Sequence, residues 1–343
     1  MASTSDTVTY DSLLSATLNN VRPAIYDNIS RDNVVWAWFH MNGRKTMENG
    51  GARIQRTVTR SLNDTVKSYS GYEVISIVPQ DTETAALYDW KQIVGNVTIS
   101  RIEERKNSGA SQIFNLLRSK VENLQAAFAD EMNRQFLGAF TAGNGGKDIH
   151  SIPQIIPVAT GSTLGGIDAS AETYWEPQST ASSATTFAGL KKELRTMYND
   201  CSKGPGGGPD LVIADQTTYE TYEAAFDSLV RVQVGDQRLI DLGFDTVRVS
   251  GANMVWDERV PDAANSELST VDGGSPTEGT AYFINSRFME FVVDSQTDMI
   301  NRPFMTAQDQ DAKSALVMLY AQLITTNRRK QGVLNSISAS ITS

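Results

Sequence analysis

The sequence predicts an α+β fold, and three observations carry that prediction. Two β-prone runs, ARIQRTVTR and VKSYSGYEVISIV, flank the polar SLNDT and read as a long hairpin. A helical pattern without proline runs from about Ser108 to Phe140, and beyond it helical and strand-like segments alternate.

The elements follow in chain order. Residues 8–30 hold a weak helical pattern broken at Pro23, and the apolar stretch NVVWAWFHMNG ends in the turn dipeptide Asn42-Gly43. From Arg44 to Lys67 the chain carries six basic residues (Arg44, Lys45, Arg53, Arg56, Arg60 and Lys67) against only Glu48 and Asp64. The hairpin runs lie partly within this ribbon. A further strand, IVGNVTISRI, precedes the charged EERKNSG.

The long helix is the clearest element. Its apolar residues fall at Ile113, Leu117, Val121, Leu124, Phe128, Met132 and Phe136, in steps of three or four, with Gly138 the single interior glycine. Ser108 or Ser111 is placed to cap it and Gly143 to end it. At 1.5 Å per residue it spans roughly 50 Å, long for a compact domain, so it bridges parts of a molecule or backs an extended plate. A coiled coil is the alternative, but steps of four dominate and no e/g charge pattern is sustained.

Residues 142–186 are rich in Gly, Ser and Thr with apolar islands, the pattern of irregular but ordered structure. Then come the helix TTFAGLKKELRTMYNDC, the loop SKGPGGGPD, the strand LVIAD, the helix QTTYETYEAAFDSLVR and the strands DTVRVSGANMVWD. This alternation marks a second lobe over about 146–280. After the loop DAANSELSTVDGGSPTEG, β-prone runs return in GTAYFINSRFMEFVVD and KSALVMLYAQLITTNRRKQG.

Composition excludes several classes. The 343 residues are 40% hydrophobic and 20% charged, which is globular composition, and suffice for one large domain or two ordinary ones. The longest apolar runs fall far short of a membrane helix, and MASTSDTVTYDSLL has neither a basic nor an apolar signal region, the pattern expected of a cytoplasmic product. A single cysteine, Cys201, and two histidines, His40 and His150, leave no Cys/His zinc site and no internal disulfide. Cys201 ends a helix instead of opening one, so an inert thiol is expected.

No catalytic constellation emerges, and neither a cofactor nor a metal is expected. GPGGGP precedes a strand and lacks G-K-[ST], so it is no phosphate loop, and no G-x-S-x-G elbow occurs. The carboxylate pairs Glu103/Glu104, Asp257/Glu258 and Asp309/Asp311 are adjacent in sequence, the pattern of a solvated surface. Asp309 and Asp311 could hold a divalent ion through oxygen ligands, but a hairpin turn is the simpler reading. Trp36, Trp38, Trp90 and Trp175, with the Phe128/Met132/Phe136 stripe, are read as packing anchors.

The order of parts (leader, hairpin arm, very long helix, α/β lobe, returning strands) resembles the major capsid proteins of tailed bacteriophages, the HK97-type fold. VRPAIYDNI, VVWAWF and GGARIQ resemble the N-terminal arm and entry to the extended loop of that family. YDWKQIVGNVTIS and KNSGASQIFNLLRSKVENL resemble the loop's return and the start of the spine helix. GGIDASAETYW, PDLVIADQTTYETYE and YAQLITTNRRKQGVL are further matches, so the resemblance covers nearly the whole chain.

The resemblance implies an N-terminal arm at 1–35, an extended loop and return strand at 36–107, and a spine helix of a peripheral domain at 108–145. An axial domain would follow at 146–280, with closing peripheral strands at 281–343. It implies no enzymatic activity and self-assembly as hexamers and pentamers into an icosahedral shell. That shell would enclose double-stranded DNA without binding it specifically, in keeping with a formal charge of −10. Implied partners are a separate scaffolding protein, a portal protein and a decoration protein, with assembly in the bacterial cytoplasm. Family members that crosslink use a Lys–Asn pair; Lys67 lies in the loop, but no motif match carries that role over. The basic ribbon is then expected to strap across an adjacent subunit, with Arg53, Arg56 and Arg60 meeting carboxylates near its spine helix, such as Glu122, Asp130 and Glu131. An encapsulin-like compartment is the alternative in the same fold. An α/β enzyme with its site in the 146–280 lobe and a nucleic-acid binder using 44–67 are alternatives of other classes.

Overall fold

A computed structural model describes residues 33–75, 77–106, 110–138, 145–227, 247–260, 279–306 and 311–341. The 8–30 pattern, Ser108, Gly143 and Asp309 lie outside them.

Helix α1 (Val34–Met41) is apolar on all sides and buried from Val34 to Phe39. The Asn33 side chain caps it, accepting the Trp36 N–H at 2.9 Å. Strand β1 (Lys45–Glu48) follows a turn at Gly43, whose φ of 62° suits glycine. Strand β2 (Ile54–Thr59) pairs antiparallel with β3 (Glu83–Tyr88), Ile54 opposite Tyr88 and Val58 opposite Thr84.

This pairing corrects the expected hairpin. The partner of the first run is ETAALY and not VKSYSGYEVISIV, whose described residues form no strand. The reason lies in burial. Ala86 and Tyr88 join Ile54 and Val58 in the core, whereas the large apolar residues described between 66 and 78 stay exposed. β-Propensity alone does not choose a partner; a face that can be buried does.

Strand β4 (Lys91–Ser100) leads through α2 (Arg101–Lys106) into α3 (Ala110–Leu137), 28 residues or roughly 42 Å. The long helix is present and stops short of Gly138. It lies against β4, where Gly95 makes room: a Cβ there would stand 2.6 Å from Leu124 Cδ1. Short elements follow: α4 (Ile152–Ile155) with a Ser151/Gln154 capping box, the pair β5 (Thr163–Leu164) and β6 (Ile167–Asp168), and β7 (Gln178–Ala181). The second lobe contributes α5 (Phe187–Ser202), β8 (Leu211–Ala214), α6 (Gln216–Asp227), β9 (Val247–Val249) and β10 (Ala252–Trp256). The chain closes with β11 (Gly279–Ile284), β12 (Met289–Asp294), β13 (Ile300–Thr306), β14 (Ala312–Thr325) and β15 (Gly332–Ile337).

Two sheets organise these strands. In the first, β14 is the axis: β4 pairs along one edge, β12 and β13 along the other, and β1 adds parallel to β12. The second runs β7-β15-β11-β8-β10-β9. The 281–343 segment, expected as a whole beside the long helix, therefore divides. β12, β13 and β14 build the first sheet, while β15 and nearly all of β11 lie in the middle of the second. Continuous apolar runs such as GTAYFI suit an inner strand with both faces covered.

That covering is observed. Val212, Ala214, Ala281 and Phe283 face α5 and α6, packing with Leu190, Leu194, Met197 and Tyr222. Their alternates Leu211, Ile213, Tyr282 and Ile284 join the large core shared with α1, α3 and the first sheet. At its centre the Trp36 and Phe136 rings each meet Phe291 at a centroid distance of 5.3 Å, edge to face. Trp38 and Trp175 are also buried, and half-buried Trp90 donates its Nε1–H to Gly51 O at 3.1 Å.

Candidate subunit-contact surface

The sequence singles out the basic ribbon, and the structure divides it into a tied root and an exposed end. On β2, Ile54, Arg56 and Val58 share the inward face while Gln55, Thr57 and Thr59 point outward. Arg56 consequently reaches the body of its own chain, pairing with Glu48 of β1 and, through Nε, with Glu290 of β12 at 3.2 Å. Half-buried between two carboxylates, its guanidinium has its affinity for the proton raised above the ordinary value, although burial itself opposes this.

Other ribbon cations are also engaged within the chain. Lys45 Nζ lies 2.9 Å from Asp298 with both side chains nearly buried, and stands over the Trp36 ring at 5.5 Å. Arg60 donates to Glu172 at 3.0 Å, and exposed Arg53 pairs with Asp89 at 2.9 Å. Arg44 is partly buried and hands its carbonyl to the Phe291 N–H. Lys67 is exposed. On the long helix, Asp130 pairs with Arg259, and Glu131 takes Arg134 Nε at 2.8 Å; Glu122 is exposed. Of the expected cross-subunit pairs, therefore, Arg53, Arg56, Arg60, Asp130 and Glu131 all have partners in their own chain.

Beyond Arg60 the arm changes character. The Arg60 N–H to Thr82 O bond at 2.8 Å closes the β2–β3 ladder, and the described residues of 61–82 form no strand until β3 begins at Glu83. Eight large apolar residues stand exposed there: Leu62, Val66, Tyr69, Tyr72, Val74, Ile75, Ile77 and Val78. Val74 and Ile77 are each 91% exposed. So many apolar side chains in one short segment exceed what a soluble monomer normally shows water and mark a surface that something covers.

Among the described residues no cluster of His, Cys, Asp and Glu could hold a metal ion. Cys201 is buried and its thiol is pushed up to about 12 by burial, the inert behaviour expected. Half-buried His150 is pushed down to about 4 by desolvation, with Lys91 adding to the effect. Of the adjacent carboxylates, Glu103 takes Lys120 at 2.9 Å, Asp311 takes Arg101 at 3.2 Å, and Asp257 is buried while Glu258 is exposed.

Sequence reasoning missed two buried cations in TTNRRKQG. Arg328 donates to Ile155 O, Ser162 O and Ser162 Oγ, each at 2.9 Å, and desolvation lowers it to about 10. Lys330 Nζ is held by the carbonyls of Ser202, Lys203, Gly204 and Gly207 at 2.8–3.4 Å, so it organises the glycine-rich loop from beneath. The available signal was a run of three cations between two strongly apolar strands.

No family model matches the sequence, and no curated protein matches it either. Solved structures do. The chain is similar to a subunit of the cyanophage A-1(L) capsid, with TM-score 0.62 and 14% identity, covering 87% of this chain and 92% of that one. It is similar to the capsid of Myoviridae phage XM1, with TM-score 0.53 and 11% identity over 87% and 92%. It is also similar to the holo-SrpI encapsulin complex from Synechococcus elongatus PCC 7942, with TM-score 0.51 and 13% identity over 89% of each chain. The chain therefore has the HK97-type fold that its sequence resembles.

Proposed function

We propose that this chain is a major capsid protein: a subunit that assembles with copies of itself into an icosahedral shell around phage double-stranded DNA. The supporting observation is the likeness to the cyanophage A-1(L) capsid subunit over most of both chains. The exposed apolar end of the arm fits the same reading, since a shell supplies the cover that the lone subunit lacks. In this reading 1–35 is the N-terminal arm, 36–107 the extended loop and its return, 108–145 the spine helix, and 146–280 with the inner closing strands the axial domain.

Within the shell, the 61–82 segment lies across an adjacent copy. Lys67, an exposed cation of that segment, contributes an ion pair at that contact, and Arg56 fixes the root from which the arm leaves. An individual exposed pair contributes about 0–1 kcal/mol, but each recurs at every contact of the shell. Scaffolding, portal and decoration proteins belong to the same reading, as does assembly in the host cytoplasm without enzymatic activity.

Negative-stain microscopy of the chain, purified alone and co-expressed with its scaffold, tests the proposal: closed shells or rings of five and six subunits are expected. A second reading, an encapsulin-like compartment, is favoured by the likeness to the SrpI encapsulin complex. Nuclease-protected double-stranded DNA in particles isolated from infected cells supports the capsid; particles holding a protein cargo and no DNA support the compartment.

A further inference from the structure

A cleft of about 660 Å³ lies where the root of the arm meets the glycine-rich loop and the closing turn. Its cations come from separate segments: Arg60 from the arm, Lys203 from the loop, Arg287 from the turn before β12, and Arg329 and Lys330 from the turn before β15. Arg60 and Lys203 are balanced by Glu172 and Asp200. Arg287, Arg329 and Lys330 have no carboxylate partner among the described residues. Lys330 is held by neutral carbonyls only, which satisfy its N–H groups and leave its charge. The cleft thus concentrates uncompensated positive charge on a chain whose formal charge is −10.

Beside polar Thr59, Ser61 and Asn327, its remaining lining includes apolar Val58, Leu62 and Phe288. Phe288 packs so close beneath Gly206 that a Cβ there would stand 2.4 Å from the ring, and the buried Trp175 lies behind half-buried Tyr174. A bare phosphate chain would use the cations and leave this lining unused, whereas a peptide carrying a carboxylate beside an apolar side chain uses both. One wall of the cleft is the arm itself, at Val58 to Leu62, immediately before the exposed segment that the shell reading places on a neighbour.

We infer that this cleft receives a carboxylate-bearing segment of a second copy of the chain, with Arg287 and Arg329 as its anchors. The inference rests on the shell reading above and adds the surface on which the neighbour is read. Each copy has ten more acidic than basic residues, so a neighbour is a source of unmatched carboxylates, and filling the cleft sets the direction in which the arm leaves.

The test is photocrosslinking in particles assembled from a mixture of ¹⁴N- and ¹⁵N-labelled subunits, with p-benzoylphenylalanine in place of Leu62. Adducts joining light to heavy peptides are expected, with the acceptor peptide containing Asp or Glu. Arg287→Glu with Arg329→Glu should lower their yield by about thirtyfold, as for two ion pairs at the strong end of the exposed range, while the melting temperature of the free subunit is unchanged. Adducts only within one copy, only to another protein or to DNA, or a yield that ignores both reversals, would overturn the inference while leaving the shell reading intact. If no particles form from the unsubstituted chain, the shell reading fails and the inference fails with it.

Discussion

Arg56 Nε and Glu290 Oε2 are 3.2 Å apart, joining the root of an exposed arm to the central sheet of the same subunit. With Glu48 on its other side, Arg56 holds β2 against both β1 and β12. The arm is therefore a fixed bracket up to about Arg60, and its unsupported part begins only there.

Charge reversal should separate these two parts. Arg56→Glu places three carboxylates together in a half-buried site and should destabilise the free subunit by about 1–3 kcal/mol. Arg60→Glu, at a position 45% exposed, should cost under about 1 kcal/mol. Urea unfolding of the two variants checks this; equal costs would mean that Arg56 does not secure the root.

Substitution in the exposed segment should do the reverse. Val74→Asp with Ile77→Asp removes apolar surface that touches little within the subunit, so stability should change by less than about 0.5 kcal/mol. Particle yield by sedimentation should nevertheless collapse. Normal yield would show that this surface is not what a neighbour covers.

Lys330 organises its loop through four carbonyls, which Lys330→Met would leave without their donor. A loss of about 2–3 kcal/mol is expected, with amide exchange rising across 203–208. Protection unchanged in that loop would contradict the role.

Asp257 introduces a pH dependence. Burial pushes its carboxyl up to about 6, against the N–H of Arg259 and Asn133 Nδ2, which donates to it at 3.1 and 3.2 Å. A carboxyl raised in the folded state makes its stabilising contribution when protonated. That contribution is complete below about pH 4 and is lost as pH rises through about 6, with a span of about 3 kcal/mol at most. His150 acts oppositely: its neutral form is favoured on folding, so its contribution is present above about pH 6.5 and is lost as pH falls through about 4. Asp257→Asn should therefore gain stability relative to the parent as pH rises from 4 to 7, while His150's effect cancels in the difference. A difference independent of pH would refute this account of Asp257.

Much of this was legible in the sequence because it is local. The spacing from Val121 to Phe136 marks the buried face of the long helix, LVIAD reads as a strand and GTAYFI falls in a β-prone run, although only the structure shows both covered on two faces. The role of Arg56 was also available, since I-x-R-x-V sets it on the same face as two core residues. The strand partner of β2 was not, because 66–78 and 83–88 are both β-prone and only tertiary burial chooses between them. Nor were the tasks of Arg328 and Lys330 legible, because their acceptors lie more than a hundred residues earlier in the chain. The short run VVWAWF fits helix or buried strand equally by pattern, and its helix is settled by packing against Phe136 and Phe291.

The proposed shell subunit has an arm that a neighbouring copy covers. Cryo-electron microscopy of assembled particles tests it most directly. Closed icosahedral shells are expected in which residues 61–78 lie against an adjacent copy, with Val74 and Ile77 removed from solvent. A strictly monomeric chain at high concentration with its scaffold present, or shells in which that segment projects freely into solvent, would contradict it.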